Sequence, residues 1–278
     1  MSNIELLGRY GDPMERAIVR QSMTELGGIL APYADIWRAY VKPARIGTGE
    51  ILNPECMLFG GNHYTALIRA HNALGFYKEI IAFCEVGNMD DDGGLVLSLQ
   101  SATSGFWWSL GALVDNLGQA IENFPDSTVK KMRDGGLKLL RTERKYLKYL
   151  YDRRTQLIHS RIVPIAMDNG NVKFDYGYLD DEKKERRPLL PEATEWKSEF
   201  HTRDELAQFY RDRWAETKAE LTCAWNFVRK TIDGYAASKS AKFNWQKLII
   251  PPDVTTIMTA CSANPPGPSG TGRNRIGW

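Results

Sequence analysis

Cysteine is scarce in this chain. Only four cysteines occur among its 278 residues. They lie far apart, form no C-x-x-C pair and have no histidine at metal-ligand spacing: Cys56, Cys84, Cys223 and Cys261. This pattern argues against both a zinc site and a disulfide framework. Free thiols are the default in a reducing compartment, so the cysteine content favours a cytoplasmic protein.

Long apolar runs and an excess of charge are also missing. No stretch approaches the roughly 20 apolar residues that a membrane span needs. Residues 1–20 carry charges throughout and lack the apolar centre of a signal peptide. The net charge is only +2, so no global field attracts the chain to nucleic acid. We expect a cytoplasmic protein with no membrane contact, in which any RNA contact comes from a local basic cluster.

The usual cofactor motifs are absent. There is no phosphate-binding loop of the G-x-x-x-x-G-K type, and the glycines near the C-terminus do not form a dinucleotide fingerprint. Asp90, Asp91 and Asp92 lack the alternate spacing and the following glutamate of a calcium loop. The sequence therefore predicts neither a cofactor nor a metal.

Helical periodicity is what the chain has in abundance. Its content of 43% hydrophobic and 25% charged residues is that of an ordinary soluble globular protein. Asp12-Pro13 is typical of a helix start, Pro32 predicts a kink or break, and Leu137 to Ser160 reads as one helix. The segment 95–124 is apolar on most sides, which predicts a central helix. These patterns predict an all-α fold whose core includes Trp107, Leu110, Leu113, Leu147, Leu150 and Leu157.

One stretch departs from the helical period. Two short apolar segments, 162–167 and 172–178, flank Asn169-Gly170, which is the preferred centre of a tight hairpin turn. We therefore expect one small β-hairpin, packed on the helices, and no other sheet. The composition beyond residue 258, rich in proline and glycine, favours a flexible tail over 259–278.

The most informative stretch is Tyr151 to Pro164. It ends a helical segment with Arg154 and, five residues later, His159. Arg154 supplies a fixed positive charge, and His159 can take up or release a proton near neutral pH. Together they offer what the cleavage of a phosphodiester without a metal asks of two side chains.

These residues resemble the R-x4-H signature of the HEPN family (higher eukaryotes and prokaryotes nucleotide-binding), an all-helical family with many RNA-cleaving members. The similarity covers Arg154, Thr155, the apolar Leu157 and Ile158, His159 and the exit Ile162-Val163-Pro164. The aromatic-led segment Phe106 to Leu117 also looks like the helix that precedes the motif helix in some bacterial members. The good resemblance spans roughly residues 95 to 165.

The resemblance implies a HEPN-like helical bundle. On that basis we expect a single domain over residues 1–258 with a hairpin insertion near 162–178. It further implies a metal-independent endoribonuclease with Arg154 and His159 as catalytic residues, of the kind that serves as a toxin or an effector of phage defence; whether an inhibitor protein accompanies it is left open by the sequence. The alternative is a non-catalytic HEPN-like module that binds RNA or a nucleotide, or that only dimerises. A third possibility is a plain helical structural protein in which Arg154 and His159 match the motif by coincidence.

Helix geometry limits how the motif can work. Five residues turn an ideal helix by about 500°, or about 140° net, so Arg154 and His159 do not share a face. They can converge if the helix frays near His159, or if two copies of the helix meet across a two-fold axis. The second route agrees with the composite sites that the resemblance implies, so we expect a homodimer.

Further candidate residues remain ambiguous. Arg153 and Arg161 are candidates for RNA binding, but either side chain could instead point at water. Asp115 is a candidate orienting carboxylate with Arg154 or His159 as its partner, although a surface-facing Asp115 is equally consistent with the sequence. The basic residues around the motif form a candidate RNA patch or a plain solvated face; they are Lys130, Lys131, Arg141, Arg144, Lys145, Lys148, Arg153 and Arg154.

Overall fold

The structure is a computed structural model of the chain. It describes residues 13–41, 50–51, 54–85, 93–125, 127–131, 134–160, 165–168, 171–175, 177–180, 185–188, 198–238 and 248–249. For residues 156–160 and for all of the strands, the description is limited to the backbone. The tail expected over 259–278 lies outside the described residues.

Six α-helices form the body of the part of the chain that the structure describes. They are α1 (Pro13–Ile36), α2 (Pro54–Glu85), α3 (Gly93–Asn123), α4 (Gly135–Glu143), α5 (Lys145–Ser160) and α6 (Arg203–Ser238). A π-helical turn, Trp37–Val41, extends α1, and a 3-10 turn, Thr128–Lys131, precedes α4. The start of α1 at Pro13 confirms the proline signal, because proline has no amide hydrogen to lose in the first turn. Pro32 lies inside α1 and does not end it.

The core is helical, as the apolar periodicity predicted. Helix α3 contacts α2, α4, α5 and α6, so it occupies the central position expected for the segment 95–124. The prediction of core residues is confirmed for the five whose side chains are described: Trp107, Leu110, Leu113, Leu147 and Leu150. The side chain of Leu157 lies outside the described residues. The largest fully buried side chains are Trp37, Trp107, Trp225, Tyr33, Tyr210, Phe59, Phe106 and Phe124.

The motif helix is two helices rather than one. Arg144 has an extended backbone (φ −132°, ψ 98°) and separates α4 from α5. Its Nε and Nη2 both donate to Oε2 of Glu220 in α6, at 3.0 and 2.7 Å. A charge-assisted bond of this kind stabilises the break by tying it to a third helix. The prediction of one continuous helix over Leu137 to Ser160 was therefore wrong at Arg144. The sequence has no proline or glycine there that would indicate a break.

The strand content exceeds the prediction. Strands β2 (Ile165–Asp168) and β3 (Asn171–Asp175) pair antiparallel with Asp168 opposite Asn171, and β3 pairs on its other edge with β6 (Ser198–His201). Separate two-stranded pairs join β4 (Gly177–Asp180) to β5 (Glu185–Pro188) and β1 (Glu50–Ile51) to β7 (Leu248–Ile249). The expectation of one small hairpin and no other sheet is therefore not supported. An isolated hairpin is only marginally stable, and β6 satisfies an edge of β3 that would otherwise be open.

None of the helices in the described part of the chain combines the length and the apolar character needed to cross a membrane.

Candidate functional site

The site begins with a close approach of two helices. A β-carbon placed on Gly111 of α3 would lie 2.2 Å from the β-carbon of Arg154 and 2.8 Å from the carbonyl oxygen of Leu150, both in α5. Side chains do not reach such distances, so the absence of a side chain at 111 is what permits this contact. Arg154 is therefore held directly over α3.

Arg154 forms an ion pair with Asp115. Its Nη1 donates to Oδ2 of Asp115, one turn further along α3 than Gly111, at 3.3 Å. The two side chains keep 20% and 26% of their surface exposed, so the pair lies at the edge of the core. The sequence left open whether Asp115 pairs with Arg154, pairs with His159 or faces the solvent. In the structure it pairs with Arg154. The buried Nε of Arg154 has no hydrogen-bond partner among the described residues.

The backbone of α5 continues through His159 to Ser160. Fraying before His159 is therefore not observed, and the α-carbons of Arg154 and His159 project about 140° apart around one helix axis. The side chain of His159 and the whole of Arg161 lie outside the described residues. Within one copy of the protein, an intact helix does not bring positions 154 and 159 onto one face.

Arg153 is buried instead of exposed. Only 2% of its surface is accessible, and its guanidinium carbon lies 5.0 Å from the ring centre of Trp107. Its Nε and Nη1 have no hydrogen-bond partner within the part of the chain that the structure describes. Both sequence alternatives, phosphate contact and exposure to water, required an accessible side chain. The placement therefore argues against RNA binding by Arg153, and the attraction to the Trp107 ring accounts for part of its position.

The basic patch is partly neutralised by acidic neighbours. Arg141 Nη2 lies 3.2 Å from Oδ1 of Asp152, and its guanidinium stacks 4.7 Å from the ring centre of Tyr151. Arg141 and Tyr151 line a cavity of about 420 Å³ between α4 and α5, together with Lys138 and Lys148. Arg144 is bound to Glu220. Of the expected patch, Arg141 and Lys148 therefore line this cavity, whereas Arg144 and Arg154 are held in ion pairs.

Sequence reasoning missed a larger cavity between α2 and α3. It encloses about 530 Å³ and is lined by Arg69, Phe76, Ser104 and Trp108, among others. The guanidinium carbon of Arg69 lies 4.4 Å from the ring centre of Trp108. Arg69 carries no local sequence signal, because its position beside Trp108 depends on how two helices pair. The aromatic run at Phe106 to Trp108 was the one available indication.

One histidine, His63, is completely buried and lines neither of these cavities. His63 of α2 stacks on Tyr33 with the ring centres 4.2 Å apart, and Phe59 lies 6.0 Å away on a similar plane. Burial lowers the pKa of His63 to about 3, so the ring is neutral at physiological pH. Neither ring nitrogen has a hydrogen-bond partner among the described residues. A neutral, enclosed imidazole of this kind is a core residue, and its two buried nitrogens lower the stability of the fold.

No metal cluster is present in the described ranges, where no three His, Cys, Asp or Glu side chains come together. Comparison of the chain with protein-family models, curated proteins and solved structures finds no match. The resemblance to HEPN proteins therefore stays a prediction from the motif residues.

Proposed function

We propose that this protein is a metal-independent endoribonuclease of the HEPN type, with Arg154 and His159 as its catalytic residues. The observation that carries the proposal is the position of the Arg154 side chain. Gly111 allows it to cross α3, and Asp115 holds its guanidinium at a partly exposed edge of the core. A fixed, partly exposed cation on the same helix as a histidine suits the stabilisation of a phosphate in transition.

The chemistry needs only these two side chains and the RNA. The 2′-hydroxyl of a ribose attacks the adjoining phosphorus, forming the 2′-oxygen to phosphorus bond as the bond to the 5′-oxygen breaks. His159 takes the proton from the 2′-hydroxyl as general base and, as the imidazolium, gives a proton to the departing 5′-oxygen. Arg154 stabilises the charge that gathers on the non-bridging oxygens. The products carry a 2′,3′-cyclic phosphate and a 5′-hydroxyl, and DNA is inert because it lacks the nucleophile.

A homodimer completes the site in this proposal. An α-helix that continues through His159 projects the two catalytic positions about 140° apart, so a second copy supplies the missing partner. A two-fold axis near the end of α5 brings Arg154 of one copy towards His159 of the other. Such an enzyme would act on cellular RNA as a toxin or as an effector of phage defence. Whether an inhibitor protein accompanies it is a separate question.

One observation favours the alternative, a non-catalytic module that binds RNA or a nucleotide, or that only dimerises. Asp115 offsets part of the charge of Arg154, and the chain as a whole has a net charge of only +2. A guanidinium that is already paired attracts a phosphate less strongly than a free one. In this case Arg154 would mainly stabilise the fold through its ion pair with Asp115, and it would bind a phosphate only weakly.

The deciding assay incubates the purified protein with mixed RNA in excess EDTA and maps the ends of the products. Arg154→Ala and His159→Ala should each reduce cleavage about a hundredfold or more, the usual scale for such groups. Arg211→Ala is the matched control, because Arg211 also pairs with an acid, but its partner is Glu85 at the end of α2. Loss of wild-type activity in EDTA would indicate a metal nuclease. Equal cleavage by all of the proteins would exclude Arg154 and His159 as catalytic residues, and RNA binding without cleavage by the wild type would favour the binding module.

Dimer formation is tested separately. Light scattering over a range of concentrations should give twice the chain mass, and cysteines placed near Ser160 should crosslink between copies. A strict monomer that still cleaves RNA would contradict the composite site while leaving the nuclease assignment in place.

A further inference from the structure

A partly exposed stripe follows one side of α3. Leu97, Ser101, Ser104, Trp108 and Asp115 recur at spacings of three, four and seven residues, which places them on one side of the helix. Leu97 and Trp108 are 66% and 36% exposed, unusually high values for large apolar side chains on a helix of the core. Trp108 and Asp115 differ by seven residues, or about 10.5 Å along the helix and about 20° around it.

Neighbouring helices form a wall on each side of this stripe. Gly105 and Gly111 lie about 60° to either side of Trp108 around α3. A β-carbon on Gly105 would meet the ring of Phe76 in α2 at 2.5 Å, whereas one on Gly111 would meet Arg154 in α5. The stripe is therefore the floor of a groove between α2 and α5, which we call the α3 groove.

An arginine stands on each wall of the α3 groove. Arg69 comes from α2 and stacks over Trp108. Arg154 comes from α5 and contacts Asp115. A guanidinium stacked on a partly exposed aromatic ring, with a second guanidinium further along the helix, is complementary to the phosphates and bases of a single strand, which bind to cations and stack on aromatic faces.

Two buried polar groups border the cavity at the Trp108 end of the α3 groove. The Oγ of Ser104 and the Nε of Arg69 are both buried and, among the described residues, without a hydrogen-bond partner. Both residues line the same cavity of about 530 Å³, which falls within the usual range of about 300–1,000 Å³ for ligand sites. Buried polar groups without partners cost stability unless something else satisfies them.

We propose that the cavity at Trp108 holds a base of single-stranded RNA, that Arg69 binds the adjoining phosphate, and that the strand continues along α3 to the scissile phosphate at Arg154. The distance of about 10.5 Å between Trp108 and Asp115 corresponds to about three nucleotides at the ~3.4 Å rise of a stacked strand. This inference rests on the proposed function and adds a binding subsite to it. The subsite selects for unpaired RNA, since a base within a duplex has no free face to offer.

The test measures binding of a labelled RNA of about ten nucleotides, within the length that single-strand sites cover, with its 2′-hydroxyls methylated so that it cannot be cleaved. Trp108→Ala should weaken binding about tenfold, the scale of one stacked base, and Trp108→Phe should retain most of the affinity. Arg69→Ala should reduce the slope of log affinity against log salt by about one. Leu58→Ala is the control, because Leu58 is 55% exposed on α2 but does not line the cavity.

Cleavage kinetics separate this inference from the proposed function. Trp108→Ala should raise KM with little change in kcat, whereas Arg154→Ala should lower kcat. If the wild type cleaves RNA and Trp108→Ala matches it in affinity and KM, the subsite is wrong and the nuclease proposal stands. If Trp108→Ala weakens binding but the wild type never cleaves, the subsite stands and the nuclease proposal fails. A wild type that binds no RNA overturns both. Equal melting temperatures for the alanine and phenylalanine variants would show that the loss is not one of folding.

Discussion

Gly111 and Arg154 lie at a close approach of α3 and α5. The space that a β-carbon of residue 111 would need is filled by the Arg154 side chain, whose own β-carbon would lie only 2.2 Å from it. The same contact brings the guanidinium within 3.3 Å of Asp115. A single glycine therefore determines both the packing of the two helices and the location of the proposed catalytic cation.

The first prediction concerns this glycine. Gly111→Ala should lower the free energy of unfolding by about 1–3 kcal/mol, because the backbone carbonyl of Leu150 cannot rotate away from the new methyl group. It should also displace Arg154 and reduce RNA cleavage. Urea denaturation and the cleavage assay measure the two effects.

Gly75→Ala is the matched control for that substitution. Gly75 lies within α2, is exposed, and has no atom within 4 Å of the position that an added β-carbon would occupy. Alanine favours the helix over glycine by up to about 1 kcal/mol, so this variant should be as stable as the wild type or more stable. An equal loss of stability in both variants would show that close packing at Gly111 is not the cause.

A second prediction is energetic coupling between Asp115 and Arg154. Their exposed fractions, 26% and 20%, are too small for solvent to screen the pair completely. A double-mutant cycle with Asp115→Ala and Arg154→Ala should therefore give a coupling of about 0.5–1 kcal/mol in unfolding free energy. Strict additivity of the two single changes would mean that the pair contributes no stability and does not orient the guanidinium.

The third prediction uses the buried histidine. His63 has a pKa of about 3 in the folded protein against an ordinary value of 6.5, so the unfolded chain takes up a proton first as the pH falls. The stabilising effect of the neutral ring is fully present above pH 6.5 and is lost as the pH falls from 6.5 towards 3. Between about pH 7 and about pH 5 this residue alone should cost about 2 kcal/mol of stability.

His63→Phe should remove that part of the pH dependence. Phenylalanine keeps the stacking on Tyr33 and takes away two buried nitrogens that lack partners among the described residues, so stability at neutral pH should not fall. His71, whose pKa is also lowered by burial, acts equally in both proteins and cancels in the comparison. Urea denaturation at the two pH values gives the change in unfolding free energy for each protein. An equal change in the wild type and the variant would show that His63 is not the titrating group.

The fourth prediction separates Arg153 from Arg154. Arg153→Met keeps the apolar stem of the side chain and removes a buried charge with two donors that lack partners among the described residues. Replacing such a group by an apolar one is often neutral or stabilising, so the unfolding free energy should change by no more than about 1 kcal/mol. RNA binding should equal that of the wild type. A clear loss of RNA affinity at unchanged stability would restore the RNA-binding role suggested by the sequence.

The sequence by itself determined the helical body and its interior. Apolar residues at helical spacing identified α3 as central and placed Trp107 and Leu150 in the core, because the period of a buried face is a local property. The same local reasoning named Arg154 as one of two partners for Asp115. It underestimated the number of strands after α5, since β6 joins β3 from a segment more than twenty residues away.

Tertiary structure alone decided which charges are accessible. Arg153 and Arg154 are adjacent in the sequence, yet one is buried against Trp107 and the other reaches Asp115 at the edge of the core. The break at Arg144 depends on Glu220, and the cavity at Trp108 depends on Arg69 from another helix. Each of these outcomes is set by the distance between residues that are remote in the chain, and a local pattern contains no information about that distance.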